Sequence, residues 1–141
     1  MNYSPFVRNL ARKSQRAMRS ARLGLEDGDA DGAINRAYFA MFNIARAALL
    51  CAGVPEEGLP SEHKELIAAL RQYAVQTGQI ERDLAGVLNK AENLRLQADY
   101  AGTEIDPPFA AEAVQRAELF VKTIERTFAL HAAAKPTDAD A

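Results

Sequence analysis

Apolar side chains recur every three or four residues along most of the chain, which is the spacing of one face of an α-helix. The second of these segments, residues 33–50, is apolar on nearly every side and predicts a helix in the middle of a bundle. No segment alternates with the period of a β-strand, so the pattern predicts an all-α protein. The predicted helices are residues 4–26, 33 to about 53, 62–77, 80–99 and 107 to about 131.

Residues that stop and start helices lie between these segments. Asp29 or Asp31 is placed to cap the second helix, Ser61 to cap the third, and Asp106-Pro107 to begin the fifth. The connections are short, which favours antiparallel packing of consecutive helices. We therefore expect an up-and-down antiparallel bundle of four to five helices.

The composition of the 141 residues is that of one globular domain, predicted to span residues 1–134 and to be followed by a disordered acidic tail at 135–141. The single cysteine, Cys51, follows two leucines and is expected to be a buried thiol in a reducing compartment. No secretory signal is visible, and no apolar run reaches the ~20 residues that cross a bilayer. These features predict a cytoplasmic protein that does not contact membranes.

The net charge of −2 gives the protein no general attraction for nucleic acid, but the charge is unevenly distributed. The first 25 residues contain no acidic side chain and six basic ones, namely Arg8, Arg12, Lys13, Arg16, Arg19 and Arg22. Five of the six fall on one arc of the first helix. This arc is either a solvated face or a contact surface for RNA or for an acidic partner protein.

Three motifs, in an order and spacing that cover residues 10–128, carry a family resemblance. They are the run Ala33–Phe42, then His63 with Leu66 behind it, and then Leu94–Tyr100. Together they resemble the small stand-alone prokaryotic branch of the HEPN family. The resemblance implies a four- or five-helix bundle that forms a homodimer and takes part in toxin–antitoxin or phage-defence modules. It also implies RNA cleavage or nucleotide binding, and a small nucleotidyltransferase-like antitoxin as partner.

In ribonucleases of this family, an Arg is followed four to six residues later by a His, and two subunits form the site. Here Arg95 occupies the position of that Arg, but Tyr100 stands where the His is expected. The family's His in the second helix is replaced by Asn43, which leaves His63 as the imidazole at a family position. An unperturbed tyrosine, with a pKa near 10, is a poor base at neutral pH. We therefore expect any metal-independent ribonuclease activity to be reduced about 10²–10⁴-fold.

The candidate catalytic residues are accordingly Arg95, Tyr100 and His63. The candidate substrate-binding residues are Arg36, Asn43, Asp99 and Asn35. Arg36 and Asn43 are seven residues apart on one helix face, where they either bind neighbouring helices or line an anion pocket opposite Arg95.

Each remaining candidate also has a structural interpretation. Arg95 and Asp99 form either an ordinary i,i+4 ion pair or a phosphate-binding unit in which Asp99 orients the guanidinium. Tyr100 either packs against its own turn or serves as a stacking surface or as a hydroxyl modified by the partner. Asn35 is placed to satisfy backbone groups at the start of its helix, and His63 is either a capping-region histidine or a general base.

A second Arg-x4-His match, Arg126 to His131, is not expected to form a site, because five helical residues separate the side chains by about 140°. The sequence contains no Glu-x-x-His pair, phosphate-binding loop or Cys/His cluster, so no metal or cofactor is predicted.

Three functional hypotheses follow. The first is a protein of a toxin–antitoxin or defence pair that binds RNA or nucleotide phosphate at Arg95. The second is a non-catalytic module that holds a nucleotidyltransferase-like partner, and the third is a nucleotide sensor.

Overall fold

The computed structural model describes residues 3–131, 133 and 134, and these residues form five α-helices without a strand. The helices are α1 (Pro5–Glu26), α2 (Ala30–Cys51), α3 (His63–Leu70), α4 (Arg82–Tyr100) and α5 (Pro107–Thr127). A 3₁₀ turn lies at Glu56–Gly58, and a π-helical segment, Arg71–Val75, extends α3. The predicted all-α class is confirmed. The acidic tail predicted at 135–141 lies outside the described residues.

Helix α2 is the centre of the bundle and packs against all four other helices. Most of its side chains are buried, as expected for a helix that is apolar on nearly every side. Fully buried alanines such as Ala40 and Ala45 allow the neighbouring backbones to approach closely. On the side facing α1, the buried Ser14 hydroxyl donates a 2.7 Å hydrogen bond to the carbonyl of Ala40, so this polar group is satisfied inside the core.

Side-chain pairs between helices establish the up-and-down arrangement. On α1, Ser14 bonds to Ala40 and the later Gly24 lies against the earlier Ala33, so α1 is antiparallel to α2. On α4, Asp99 bonds to Asn35 and the earlier Arg95 lies against the later Phe39, so α4 is antiparallel to α2 as well. Likewise, Arg22 pairs with Glu118, nearer the start of α5, whereas Gln15 pairs with Glu125, nearer its end. Helix α5 is therefore antiparallel to α1 and parallel to α2. The predicted antiparallel bundle is confirmed, with α1 and α5 on one side of α2 and α3 and α4 on another.

The helix ends agree with the predictions only in part. Asp29 caps α2 by accepting from the backbone N–H of Gly32 at 2.9 Å, and Pro107 begins α5. The predicted cap of α3 by Ser61 is wrong, because Glu62 occupies the N-cap position and makes no side-chain bond there. The last helix ends at Thr127 rather than near His131, since Ala129 adopts a positive φ of 55°.

The structure also bears on two predictions made from composition, namely the burial of Cys51 and the lack of a membrane-spanning segment. Cys51 is exposed rather than buried, because it is the last residue of α2, although desolvation still raises the pKa of its thiol. Within the part of the chain that the structure describes, no helix combines the length and apolarity needed to cross a membrane.

We expect Phe120→Ala to lower the free energy of unfolding by about 3–5 kcal/mol, because the side chain is only 2 % exposed and its loss leaves a cavity. Its neighbour Leu119 is 66 % exposed, so Leu119→Ala is the matched control, with an expected change within about 0.5 kcal/mol. Urea denaturation of both variants measures the two values. Equal destabilisation would contradict the described orientation of α5.

Candidate functional site

A polar cluster lies where α4 crosses α2, and its central group is the guanidinium of Arg95. Nε and Nη2 of Arg95 donate to the two carboxylate oxygens of Glu92 at 3.1 and 3.0 Å, and Nη1 donates to Asp99 at 3.0 Å. Both acids are on α4, three residues before Arg95 and four residues after it, where they share a helix face with it. The hydrogen bonds to Glu92, with a smaller contribution from Asp99, raise the pKa of Arg95 above its usual value despite some desolvation.

The same guanidinium lies against two aromatic rings of α2. Its central carbon is 5.2 Å from the ring centroid of Tyr38 and 5.5 Å from that of Phe39, within the range of cation–π attraction. The side chain of Arg95 is 15 % exposed, so it is largely covered but still in contact with solvent. Arg95 is therefore fixed from two directions, by carboxylates on its own helix and by rings on the neighbouring helix.

Asp99 connects this cluster to the start of α2. The Nδ2 group of Asn35 donates to its carboxylate at 3.0 and 3.3 Å. Asn35 thus binds a side chain of α4 rather than backbone groups at the start of its own helix. The Asp99 carboxylate is shared between an amide and a guanidinium, which holds Arg95 and Asn35 in a fixed relation.

Behind the rings, His63 links three helices. Its Nδ1 is 2.7 Å from the hydroxyl of Tyr38 and its Nε2 is 2.8 Å from Oδ1 of Asn89. The tautomer of the imidazole decides which atom donates in each of these two hydrogen bonds. Burial, together with the nearby Glu92 carboxylate, raises the pKa of Tyr38 far above its usual value, so the hydroxyl stays protonated.

The structure brings together only part of the predicted site. Arg95, Asp99 and Asn35 are in direct contact. Tyr100, at the end of α4, has an exposed side chain, 77 % of which is accessible to solvent. His63 begins α3 as predicted, but both of its ring nitrogens are occupied by Tyr38 and Asn89. Its assignment as a general base stays a prediction that this arrangement does not favour.

Arg36 and Asn43 do not join the cluster. Neither forms a hydrogen bond or an ion pair with another of the described residues, and Arg36 is exposed. They lie about 80–100° around α2 from Asn35, the residue that faces α4. Phe39, which lies against Arg95, is three residues after Arg36 and four before Asn43, so the predicted anion pocket between this pair and Arg95 stays a prediction.

Sequence reasoning missed Glu92 and Asn89, and it covered Tyr38 and Phe39 only as members of the apolar helix at residues 33–50. The spacing of Glu92 to Arg95 was a usable signal, since acids three or four residues from an arginine pair with it on a helix. No comparable signal marked Asn89, whose role depends on the position of α3.

The charge of the cluster limits what it can bind. Glu92 and Asp99 outnumber Arg95, so an anion approaching it must compete with the two carboxylates. The three described bonds use three of the five N–H donors of the guanidinium, which leaves two for a ligand. Among the described residues, no group of three or more His, Cys, Asp or Glu side chains is placed to hold a metal ion.

The fold and the cluster define a small helical-bundle protein with an arginine–carboxylate site between its second and fourth α-helices. Residues 7–127 match the HEPN domain, and the chain belongs to the HEPN family.

Two relatives illustrate the range of similarity. A protein of Methanocaldococcus jannaschii named "putative toxin" is 33 % identical over 94 residues, which are 67 % of each chain. A UPF0332 protein of Thermotoga maritima is 28 % identical over 116 residues, covering 82 % of this chain and 85 % of the relative.

A solved structure described as a toxin–antitoxin with AMP-PNP shares the fold. Its TM-score is 0.54 at 16 % identity, and the match covers 86 % of this chain and 99 % of that one. At this identity the likeness concerns the helical fold and not the residues of the cluster.

We expect the stability of the protein to fall as the pH rises above about 10, where a tyrosine in the unfolded chain begins to ionise. The raised pKa keeps Tyr38 protonated in the folded state, so the unfolded state alone loses the proton and is favoured. Tyr38→Phe removes this contribution, and the fall between pH 10 and 11 is expected to be smaller by up to about 1 kcal/mol. Urea denaturation at several pH values measures it.

Tyr100→Phe is the matched control for this measurement, because its ring is exposed. It is expected to keep the alkaline slope of the unsubstituted protein. At pH 8, Tyr38→Phe is expected to cost about 1–3 kcal/mol, since it removes the hydroxyl bonded to His63. Identical alkaline slopes for the Tyr38→Phe variant and the unsubstituted protein would contradict the buried, hydrogen-bonded state of Tyr38.

Proposed function

We propose that this protein is the HEPN component of a toxin–antitoxin or defence pair and that it binds the phosphates of RNA or a nucleotide at Arg95. In this proposal it acts as a homodimer and pairs with a nucleotidyltransferase-like protein. Membership of the family and the relative named "putative toxin" support the pair, as does the structural neighbour described as a toxin–antitoxin.

The observation that carries the proposal is the fixed position of the Arg95 guanidinium. Ordering a long side chain upon binding has an entropic cost, and Glu92, Asp99 and the two rings have already ordered this one. A planar guanidinium that keeps two N–H donors and is still in contact with solvent is suited to two oxygens of a phosphate.

The surrounding predicted residues have distinct roles in this proposal. Asp99 and Asn35 orient the guanidinium, and Asp99 does so through a direct bond to it. The exposed ring of Tyr100 offers a surface on which a base stacks. Arg36 and Asn43 form no bond with Arg95 within one chain. In this proposal they act on the bound phosphate through their electrostatic field or as residues of the second protomer.

A second protomer is supported by the surface beside Arg95. Leu96 and Tyr100 are one helical turn apart on α4, and they are 39 % and 77 % exposed. A second protomer docked on this side of α4 would cover both side chains. Leu96 and Tyr100 lie about 100° and 140° around α4 from Arg95, so a dimer formed there would bring the two copies of α4 together beside the Arg95 cluster.

Binding is better supported than cleavage. Cleavage of RNA without a metal needs a base for the ribose 2′-hydroxyl, and the imidazole of His63 is engaged by Tyr38 and Asn89. Tyr100 at position five after Arg95 does not replace a histidine as a base. We therefore propose a protein that retains phosphate binding with ribonuclease activity lowered by the missing histidine.

Arg95→Ala is expected to weaken binding of a structured RNA hairpin at least about tenfold, because it removes the fixed guanidinium. Arg82→Ala is the matched control, since Arg82 is an exposed arginine at the start of the same helix, and its binding should stay within about twofold. Fluorescence anisotropy measures affinity, circular dichroism reports folding, and light scattering reports the dimer. Equal affinity of the two folded variants would contradict a phosphate site at Arg95.

Glu92→Gln is expected to strengthen binding of the same RNA about three- to tenfold. The substitution keeps the shape of the side chain while removing a negative charge that competes with phosphate for Arg95. Glu112→Gln is the control, because Glu112 is paired with Arg116 on the exposed side of α5. A loss of affinity on Glu92→Gln would show that the carboxylate assists binding and would refute direct competition.

A further inference from the structure

A groove of about 880 Å³ runs between α1 and α5, away from the Arg95 cluster. Two side-chain pairs cross its base: Gln15 donates to Glu125 at 3.1 Å, and Arg22 donates to Glu118 at 2.8 Å. The pairs are about two helical turns apart along α1. We call this feature the α1/α5 groove.

Three of the eleven residues that line the α1/α5 groove are apolar, and the others are polar or charged. Met18 and Val121 are buried at 5 % and 4 % exposure, whereas Leu119 remains 66 % exposed and borders the groove. An exposed leucine beside a buried apolar lining is the arrangement that an apolar side chain of a bound partner would cover.

The edges of the groove are positively charged. Arg19, Lys122 and Arg126 border it and form no ion pair with any other described residue. The acids of the groove do not neutralise them, because Glu118 is paired with Arg22, and Glu125 is 8 % exposed and bonded to Gln15. The accessible charge is therefore basic on both sides of an apolar strip.

We propose that the α1/α5 groove binds an acidic amphipathic helix of a partner protein, about three to four turns long. Charge complementarity selects acidic flanks, and the apolar strip selects leucine-like side chains between them. The groove lining contains no Phe, Tyr or Trp on which a nucleic-acid base could stack. The cations Arg19, Lys122 and Arg126 would attract phosphate as well as carboxylate, so the exposed Leu119 is the feature that favours a protein segment over RNA.

This inference rests on the proposed function in one respect, the pairing with a protein partner, and it uses none of the residues of the Arg95 cluster. The two surfaces lie on different sides of α2, because α1 and α5 form the groove while α4 carries Arg95. A chain built in this way can hold a partner and contact a phosphate at the same time.

The test uses a fluorescent 14-residue peptide that places leucines on one helical face and glutamates on its flanks. A peptide of the same composition in scrambled order is the reference. We expect the designed peptide to bind at least about tenfold more tightly than the scrambled one, and nitrogen–proton NMR shifts to concentrate in the α1/α5 groove. Raising the salt from 0.05 to 0.5 M is expected to weaken this binding.

The double variant Arg19→Glu with Lys122→Glu is expected to weaken the designed peptide about tenfold. The control is Arg71→Glu with Arg82→Glu, which changes the net charge equally at exposed arginines outside the groove and should stay within about twofold. Leu119→Asn, at an exposed position that the fold does not need, is expected to weaken the peptide about fivefold. Its binding of a 20-nucleotide uridylate RNA should not change.

Three results would overturn the proposal: equal binding of the two peptides, equal losses in the two double variants, or an RNA that binds where the peptide does not. Arg95→Ala separates this proposal from the phosphate site, because it should leave peptide binding unchanged. If the peptide fails to bind while Arg95→Ala still weakens RNA binding, the groove proposal is refuted and the phosphate site stands.

Discussion

The burial of α2 is the constraint on which the rest of the bundle depends. A helix that is apolar on nearly every side is stable in water only when other helices cover it, and four do so here. Since α1 and α5 cover one side and α3 and α4 another, the polar chemistry of the chain is divided into two separate surfaces. One is the Arg95 cluster, at the contact between α2 and α4. The other is the basic groove, which needs only α1 and α5.

In the Arg95 cluster, the same contacts order the guanidinium and occupy three of its N–H donors. Glu92 and Asp99 order the guanidinium and place its remaining donors, so a phosphate that binds there need not order it again. The same carboxylates repel that phosphate. The balance depends on how far the two carboxylates can turn away from the guanidinium. In the proposed site, a ligand must therefore displace Glu92 or Asp99 from the guanidinium, and ligands that cannot do so are excluded.

Local rules predicted the elements of the fold well and the site only partly. The central position of α2 and the capping by Asp29 followed from side chains close in sequence. The contact of Arg95 with Asp99 also followed from helix spacing. The position of Asn35 opposite Asp99, by contrast, depends on the rotation of α2 against α4, which periodicity does not determine for a helix that is apolar all round. For the same reason the apolar pattern placed Tyr38 in the core but gave no sign of its bonds.

The bonds of His63 have a consequence for how this chain can diverge. His63 is the first residue of α3, and it attaches that helix to α2 through Tyr38 and to α4 through Asn89. The preceding loop is also attached, since Nε of Arg46 donates to the carbonyl of Pro60 at 2.8 Å. Val54 is held in the core, so residues 55–58, which are exposed, are where we expect the chain to accept a change of length without moving the start of α3. Length variation is tolerated there because the two anchors, and not the span between them, set the geometry.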